Sequence, residues 1–329
     1  MNAFRLAIRN VQTTVDLVRS RRRRADVAFF FTFVQAPYGG GNQFMHALWD
    51  ECERRGYRLE NNQISPVTRA CLCNSFNFDF DRLRRFVRAG CRVVHRVDGP
   101  VGIYRGQDDG VDRRIWSMNQ EVADATVFQS RYSLEEHERL GLRFKAPRII
   151  HNAADPAIFH AAGREPFSLT RRIRLIATSW SDNPNKGAAV YKWLEDRLDW
   201  NRFDFTFVGR SAVAFDRIRV IPPQSSTGLA DLLRSHDIFL TASLHDPCSN
   251  ALVEALSCGL PALHAASGGH PELVGDAGFA FSDREEILPL LDQLIEEYPE
   301  RQGRIGAPRL VEVVDAYLEA MQLGPSASG

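Results

Sequence analysis

A chain of 329 residues is long enough for two domains rather than one. Hydrophobic residues make up 44% and charged residues 25% of it, with a formal net charge of zero, which is a globular composition without a global field to draw in nucleic acid. No run reaches the roughly 18 apolar residues of a membrane span, and no signal-peptide pattern opens the chain, so a cytoplasmic protein is expected.

Basicity is local. Arg5, Arg9, Arg19 and Arg21 to Arg24 crowd the N-terminus, and Phe4, Ile8, Val11, Val15 and Val18 recur at helical spacing. Two readings stand for residues 1–24: a helix packed on the body, or an interfacial helix on the inner face of an anionic membrane. In the second, each Arg near the surface contributes about 1 kcal/mol. The six cysteines (52, 71, 73, 91, 248 and 258) form no CxxC pair with a His partner, so buried free thiols are expected rather than a metal site.

Val27 to Val34 is a nearly continuous apolar run of the buried parallel-strand type. It leads into Tyr38-Gly39-Gly40-Gly41-Asn42, and Phe44 to Arg54 follows as a helix. Strand, triglycine, helix is the opening turn of a nucleotide-type α/β unit, although a plain tight turn also uses glycines. Strands are then expected over 69–73, 92–97, 125–129 and 148–151, with helices over 79–87, 112–121 and 133–140. In Asp79-Phe80-Asp81 the carboxylates open a helix, so they read as capping rather than metal binding. The turn-rich stretch after Asn152-Ala153-Ala154-Asp155-Pro156 marks a domain boundary, giving units of 25–163 and 164–306 and a final helix and tail over 307–329.

The rhythm restarts with strands over 173–178, 204–208, 218–221, 238–242 and 262–264. Helices fall over 187–197, 229–235 and 250–257, with a closing pair over 284–298 and 308–323. The fold class is therefore α/β, with two mostly parallel, doubly wound sheets. In the segment from Asp246 to Pro261, Ser249 or Asn250 caps a helix that ends at Gly259. Its N-terminus is an anion site by construction. Glu254, inside that helix, reads either as a solvated surface acid or as a site residue. Lysine occurs only at 145, 186 and 192, so Lys186 before Gly187 reads as a point charge for phosphate or as an ordinary surface lysine.

Asp246 to Pro261 resembles the E-x7-E signature of retaining, nucleotide-sugar-dependent glycosyltransferases of family 4, with two facing Rossmann-like domains (the GT-B architecture). The Gly39-Gly40-Gly41 loop, Asn152-x-x-Asp155-x-x-x-Phe159, Lys186-Gly187, Phe207-Val208-Gly209 and Gly268-Gly269-x-x-Glu272 follow in the family's order. The resemblance implies transfer of a hexose from a nucleoside diphosphate sugar, UDP- before GDP-, to a glycan or lipid-linked acceptor, as in polysaccharide biosynthesis. It implies no metal and no other cofactor. Carried over by position, Glu254 would hold the ribose hydroxyls, Asp246 the donor sugar, and Lys186 the diphosphate leaving group. Gly40, Gly41, Ser181, Gly209, Arg210, Ser249, Asn250, Gly269 and His270 would surround the donor. His270 reads equally as a cap of the following helix. Asp98 takes the strand-end position near the donor sugar, or else simply forms the turn before Gly99.

Two positions depart from the family. Its first signature acid is Glu and here is Asp246, one methylene shorter, and an Arg five positions before the lysine is here Ser181. A sugar-nucleotide epimerase of the same architecture and a non-catalytic nucleotide-sugar-binding partner are the alternatives. Base contacts are expected from main chain near Ile221 to Gln224.

Overall fold

The computed structural model describes residues 24–34, 39–87 and 90–324. The expected helix over 3–20, Tyr38 and the tail after Gly324 lie outside the described residues. Among those residues the chain forms two six-stranded sheets. The first contains β1 (Val27–Phe30), β2 (Leu59–Asn61), β3 (Ala70–Asn74), β4 (Arg92–Val97), β5 (Ala125–Phe128) and β6 (Pro147–Ile149), in the order β2-β1-β3-β4-β5-β6. Every pairing in it is parallel. Its helices are α1 (Gly40–Arg54), α2 (Phe80–Phe86), α3 (Val101–Arg105), α4 (Val111–Val122) and α5 (Arg131–Arg139).

The second sheet is also parallel throughout, in the order β12-β11-β10-β7-β8-β9. Its strands are β7 (Ile173–Ser179), β8 (Phe203–Gly209), β9 (Arg219–Ile221), β10 (Ile238–Thr241), β11 (Ala262–Ala265) and β12 (Gly278–Phe281). Its helices are α6 (Ala188–Glu195), α7 (Ser226–Arg234), α8 (Asn250–Ser257), α9 (His270–Val274), α10 (Ile287–Glu296) and α11 (Tyr298–Gly303). The last helix, α12 (Leu310–Ala320), returns to the first domain, where Val314, Tyr317 and Leu318 share a core with Phe44 and Leu48 of α1.

Strand burial follows the sequence. All four residues of β1 are buried, as a parallel strand covered on both faces requires. On β3, Cys71 and Cys73 face one layer with Phe30 and Leu83, while Leu72 faces the other with Phe29 and Val94. All six cysteines are buried and none is in a disulfide. Desolvation raises the Cys52, Cys248 and Cys258 thiols to about 12, so these are packing groups rather than nucleophiles.

The differences from expectation are local. β1 stops at Phe30, and α1 begins at Gly40 rather than Phe44. β2, α3 and β12 were not foreseen: each is short, and β2 buries Glu60, whose Oε1 accepts from Ser65 N–H and Thr68 Oγ1 at 2.6 Å each. The long helix expected over 284–298 breaks into a 3₁₀ turn at Arg284–Glu286, then α10, then α11, whose second residue is a proline. Asp79 caps α2 by accepting from Arg82 N–H at 3.0 Å, as the sequence suggested.

In each sheet the strand order reverses once, between β1 and β3 and between β7 and β10. Ligands of open α/β sheets bind outside the carboxyl ends of the strands at such reversals. Gly209 ends β8 beside the second reversal with φ +130°, and a Cβ there would lie 1.8 Å from the Ser179 carbonyl oxygen. Gly41, in the first turn of α1, has nothing within 4 Å of the same virtual atom. Gly209→Ala should therefore destabilise the protein by about 2 kcal/mol or more, through both backbone strain and overlap. Gly41→Ala should be neutral or stabilising by up to about 1 kcal/mol. Urea unfolding of the two variants checks this, and equal stabilities would refute the packing described.

Candidate active site

The two reversal points face one another across a cavity of about 470 Å³. The first domain lines it with the start of α1, Gly39 to Gln43, and with Tyr104 of α3. The second domain contributes the end of β7 (Thr178 to Ser181), Lys186, Val208-Gly209, Pro223 to Ser226, Asp246, Ser249 to Ala251, and Glu254.

Two helix N-termini open into this space. Ser249 caps α8 by accepting from Leu252 N–H at 3.4 Å, and Gly259 takes the left-handed exit at φ +85°. No side chain of a described residue caps α1, whose N-cap is Gly39. The helices meet closely: a Cβ on Gly40 would lie 2.4 Å from Asn250 Cβ. Free N–H groups and the positive ends of both helices therefore converge on one place.

Beside them, Lys186 Nζ donates to Asp246 Oδ2 at 2.8 Å, with side chains 23% and 14% exposed. Burial alone would lower the Lys186 pKa, but the Asp246 charge outweighs it and holds the ammonium above its ordinary value. For Asp246 burial acts to raise the pKa; Lys186, His270 and the Cys248 N–H overcome it and keep the carboxylate ionised. The loop carrying Asp246 is pinned from outside. Gly269 N–H donates to Asp246 O at 2.9 Å and Ser267 Oγ accepts from His245 N–H at 3.0 Å. A Cβ on Gly268, at φ +66°, would sit 2.2 Å from Asp246 O, and one on Gly269 2.3 Å from Pro247 O. The paired glycines are what lets the two loops stack.

Glu254 differs from both. It lies one turn into α8, is 7% exposed, and lines the cavity. No hydrogen bond from a described residue satisfies its carboxyl, and desolvation alone pushes its pKa up to about 8. It is a neutral acid at pH 7, presented to whatever fills the space.

Of the residues expected from sequence, Lys186, Asp246, Glu254, Gly40, Gly41, Ser181, Gly209, Ser249 and Asn250 line the cavity. Four lie outside the lining. Asp98 is at the end of β4, paired with Arg96 Nη1 at 3.1 Å and hydrogen-bonded by Gln129. Arg210 stacks over Trp180, its Cζ 5.0 Å from the ring centroid. His270 is fully buried behind Asp246, Nδ1 donating to Ala265 O at 3.4 Å. Gly269 serves packing. Pro223 to Ser226 also line the cavity, overlapping the stretch 221–224 expected to read a base. Sequence reasoning missed Tyr104, on a helix too short to see, and Trp180, which reaches Gly39 across the cleft. It also gave no role to Glu272, whose carboxylate accepts the Arg131 and Tyr132 N–H groups at 2.8 Å each and so caps first-domain helix α5 from the second domain. Among the described residues no cluster of three or more His, Cys, Asp or Glu is placed to hold a metal ion. No helix among them is long and apolar enough to cross a membrane.

Comparison with solved structures agrees with this layout. The chain superposes on Anabaena Alr3699/HepE in complex with UDP-glucose with a TM-score of 0.68 and 14% identity, covering 90% of this chain and 99% of that one. The catalytic domain of starch synthase IV from Arabidopsis thaliana, bound to ADP and acarbose, gives 0.68 at 12% identity, over 91% of this chain and 99% of that one. The protein has the GT-B fold. Within its second domain, residues 189–297 match the family described as glycosyl transferases group 1. Over 93 residues the chain is 42% identical to the D-inositol 3-phosphate glycosyltransferase of Mycobacterium tuberculosis (strain ATCC 25618 / H37Rv), a span of 27% of this chain and 19% of that relative. The matched segment of this GT-B chain thus carries α6 to α10, including Asp246, Asn250 and Glu254.

The raised pKa of Glu254 has a stability consequence with a definite sign. The folded state keeps its proton up to about pH 8, whereas the unfolded chain releases it near 4.5. Stability therefore falls as pH rises between these values, by on the order of 1.4 kcal/mol per pH unit from this group. Urea unfolding at pH 5 and pH 8 should show wild type losing several-fold more stability than Glu254→Gln, and equal losses would contradict the buried, unpartnered carboxyl.

Proposed function

We propose that this protein is a glycosyltransferase that moves a hexose from a nucleoside diphosphate sugar, with retention at the anomeric carbon and without a metal, to a glycan or lipid-linked acceptor. The observation that carries the reading is the convergence of the α1 and α8 N-termini with Lys186, Asp246 and Glu254 on one interdomain cavity. Its volume of about 470 Å³ suits a sugar nucleotide. The GT-B neighbours bound to UDP-glucose or ADP, and the segment similar to a D-inositol 3-phosphate glycosyltransferase, support the same class. UDP is preferred to GDP as the donor base, following the sequence reading and the UDP-glucose-bound neighbour.

In this reading the glycosyl–phosphate bond breaks and negative charge grows on the departing β-phosphate. Donors fixed in advance at the two helix ends, together with Lys186, stabilise that charge without rearranging. Glu254, with no hydrogen-bond partner for its carboxyl among the described residues, takes the ribose hydroxyls. Asp246 holds Lys186 and faces the donor sugar. Because Lys186 is already neutralised by Asp246, a nucleotide-sugar binder without turnover is the second reading. Residues 1–24 would bring the enzyme to an anionic membrane surface, where a lipid-linked acceptor resides. Vesicle binding that survives deletion of 1–24 would remove that part of the proposal.

UDP and UDP-hexoses should raise the thermal midpoint in a concentration-dependent way, by about 2.7 kcal/mol of stabilisation at one hundred times Kd. Glu254→Ala and Lys186→Ala should each lower kcat/KM for nucleotide release by about 10- to 100-fold. Full activity in both variants would sink the site assignment. Stabilisation by UDP without release of nucleotide on any acceptor would favour the binder.

A further inference from the structure

We propose that Asn152, buried outside the cavity, is a positioning residue that holds the Asn250 side chain as a hydrogen-bond donor to the diphosphate of the donor substrate. This rests on the nucleotide-sugar reading above. Asn152 is 0% exposed and belongs to the first domain, just after β6. Asn250 opens α8 in the second domain and lines the cavity.

Chemistry at both ends dictates the orientation of the amides between them. A guanidinium can only donate, so the Asn152 atom 2.8 Å from Arg96 Nη2 is its carbonyl Oδ1. Its Nδ2 then donates to Gln129 Oε1 at 2.9 Å and to Asn250 Oδ1 at 3.1 Å. From the other end, the Asp98 carboxylate can only accept, so Gln129 turns its Nε2 to Asp98 and its Oε1 back to Asn152. The two requirements agree. Asn250 therefore has its carbonyl engaged by Asn152, and its NH2 group is left facing Gly40, where a virtual Cβ would lie 3.1 Å from Nδ2. No described residue accepts from that NH2.

The donor sits where α1 and α8 begin, which is the place the helix termini make favourable for an anion. The nearby cation is compromised, because Asp246 is 2.8 Å from Lys186. Neutral, oriented N–H donors carry correspondingly more of the phosphate recognition. Because the relay runs from a first-domain residue to a second-domain one, it is complete only while the two domains are together.

The decisive variant is Asn152→Asp. It keeps the shape and the contact with Arg96 but cannot donate, so Asn250 turns its NH2 back to the new carboxylate and shows its carbonyl to the cavity. Titrations with UDP and with uridine, which lacks both phosphates, separate the cases. UDP affinity should fall about 10-fold while uridine affinity stays unchanged. Asn250→Leu should do the same, and the double variant should bind UDP no more weakly than Asn250→Leu alone. Unchanged UDP binding, an equal loss for uridine, or full additivity would overturn the relay. If Asn152→Asp does not fold, Asn250→Leu alone decides, by the UDP-to-uridine ratio. Wild-type protein that binds neither compound removes the nucleotide-sugar reading itself, a result distinct from wild type binding UDP and both variants matching it.

Discussion

The close approach of two helix ends, Gly40 of α1 against Asn250 of α8, is the constraint around which the rest is arranged. A side chain at position 40 would push the helices apart and open the cavity. Everything that fixes these two helices therefore also fixes the site. α12 packs back over α1 through Tyr317 and Phe44, whose ring centroids are 6.0 Å apart. Glu272 ties α9 to the start of α5, and Asn185 Nδ2 donates to Tyr104 O at 2.8 Å on the other flank. The Glu272 and Asn185 contacts bridge the domains with polar groups that lose little when they separate, in keeping with the ligand exchange proposed above.

The electrostatics of the cleft are more even than a count of its charged residues suggests. Lys186 and Asp246 cancel, and Glu254 is held neutral by desolvation. What remains is a field of helix N–H groups and one fixed carboxamide. Such groups reorganise little when charge develops, whereas a flexible lysine on its own would lose entropy to reach the same geometry. The pairing also gives Asp246 a clear structural task. It anchors the lysine while its main chain is clamped under Gly268 and Gly269.

Much of this was legible in the primary structure because it depends on short-range physics. β4 and α8 have the bounds their sequences implied, since a β-branched run and a capped, glycine-terminated helix are local signals. Asp79 as a cap and Gly259 as a left-handed exit are of the same kind. Misreadings arose where local signals were weak or overridden. β2 and β12 are strands because neighbouring strands complete their hydrogen bonds, and α3 is a five-residue helix whose first N–H groups are held by Asp112 at 2.8 and 2.9 Å. His270 illustrates the limit: its motif places it near Asp246, but whether it faced the cavity or the core depended on how the glycine loop stacked, and it faces the core.

By itself the sequence determined two parallel α/β units, the order of the motifs at their strand ends, and the residue types suited to an anion. Periodicity and capping suffice for that. Tertiary structure alone decided that Lys186 meets Asp246, that the Glu254 carboxyl has no hydrogen-bond partner among the described residues, that α12 crosses back to the first domain, and that Arg96, Gln129 and Asn152 orient Asn250. Those outcomes join residues 23 positions apart or more, or turn on solvent exclusion by both domains at once. No local pattern encodes distances of that kind.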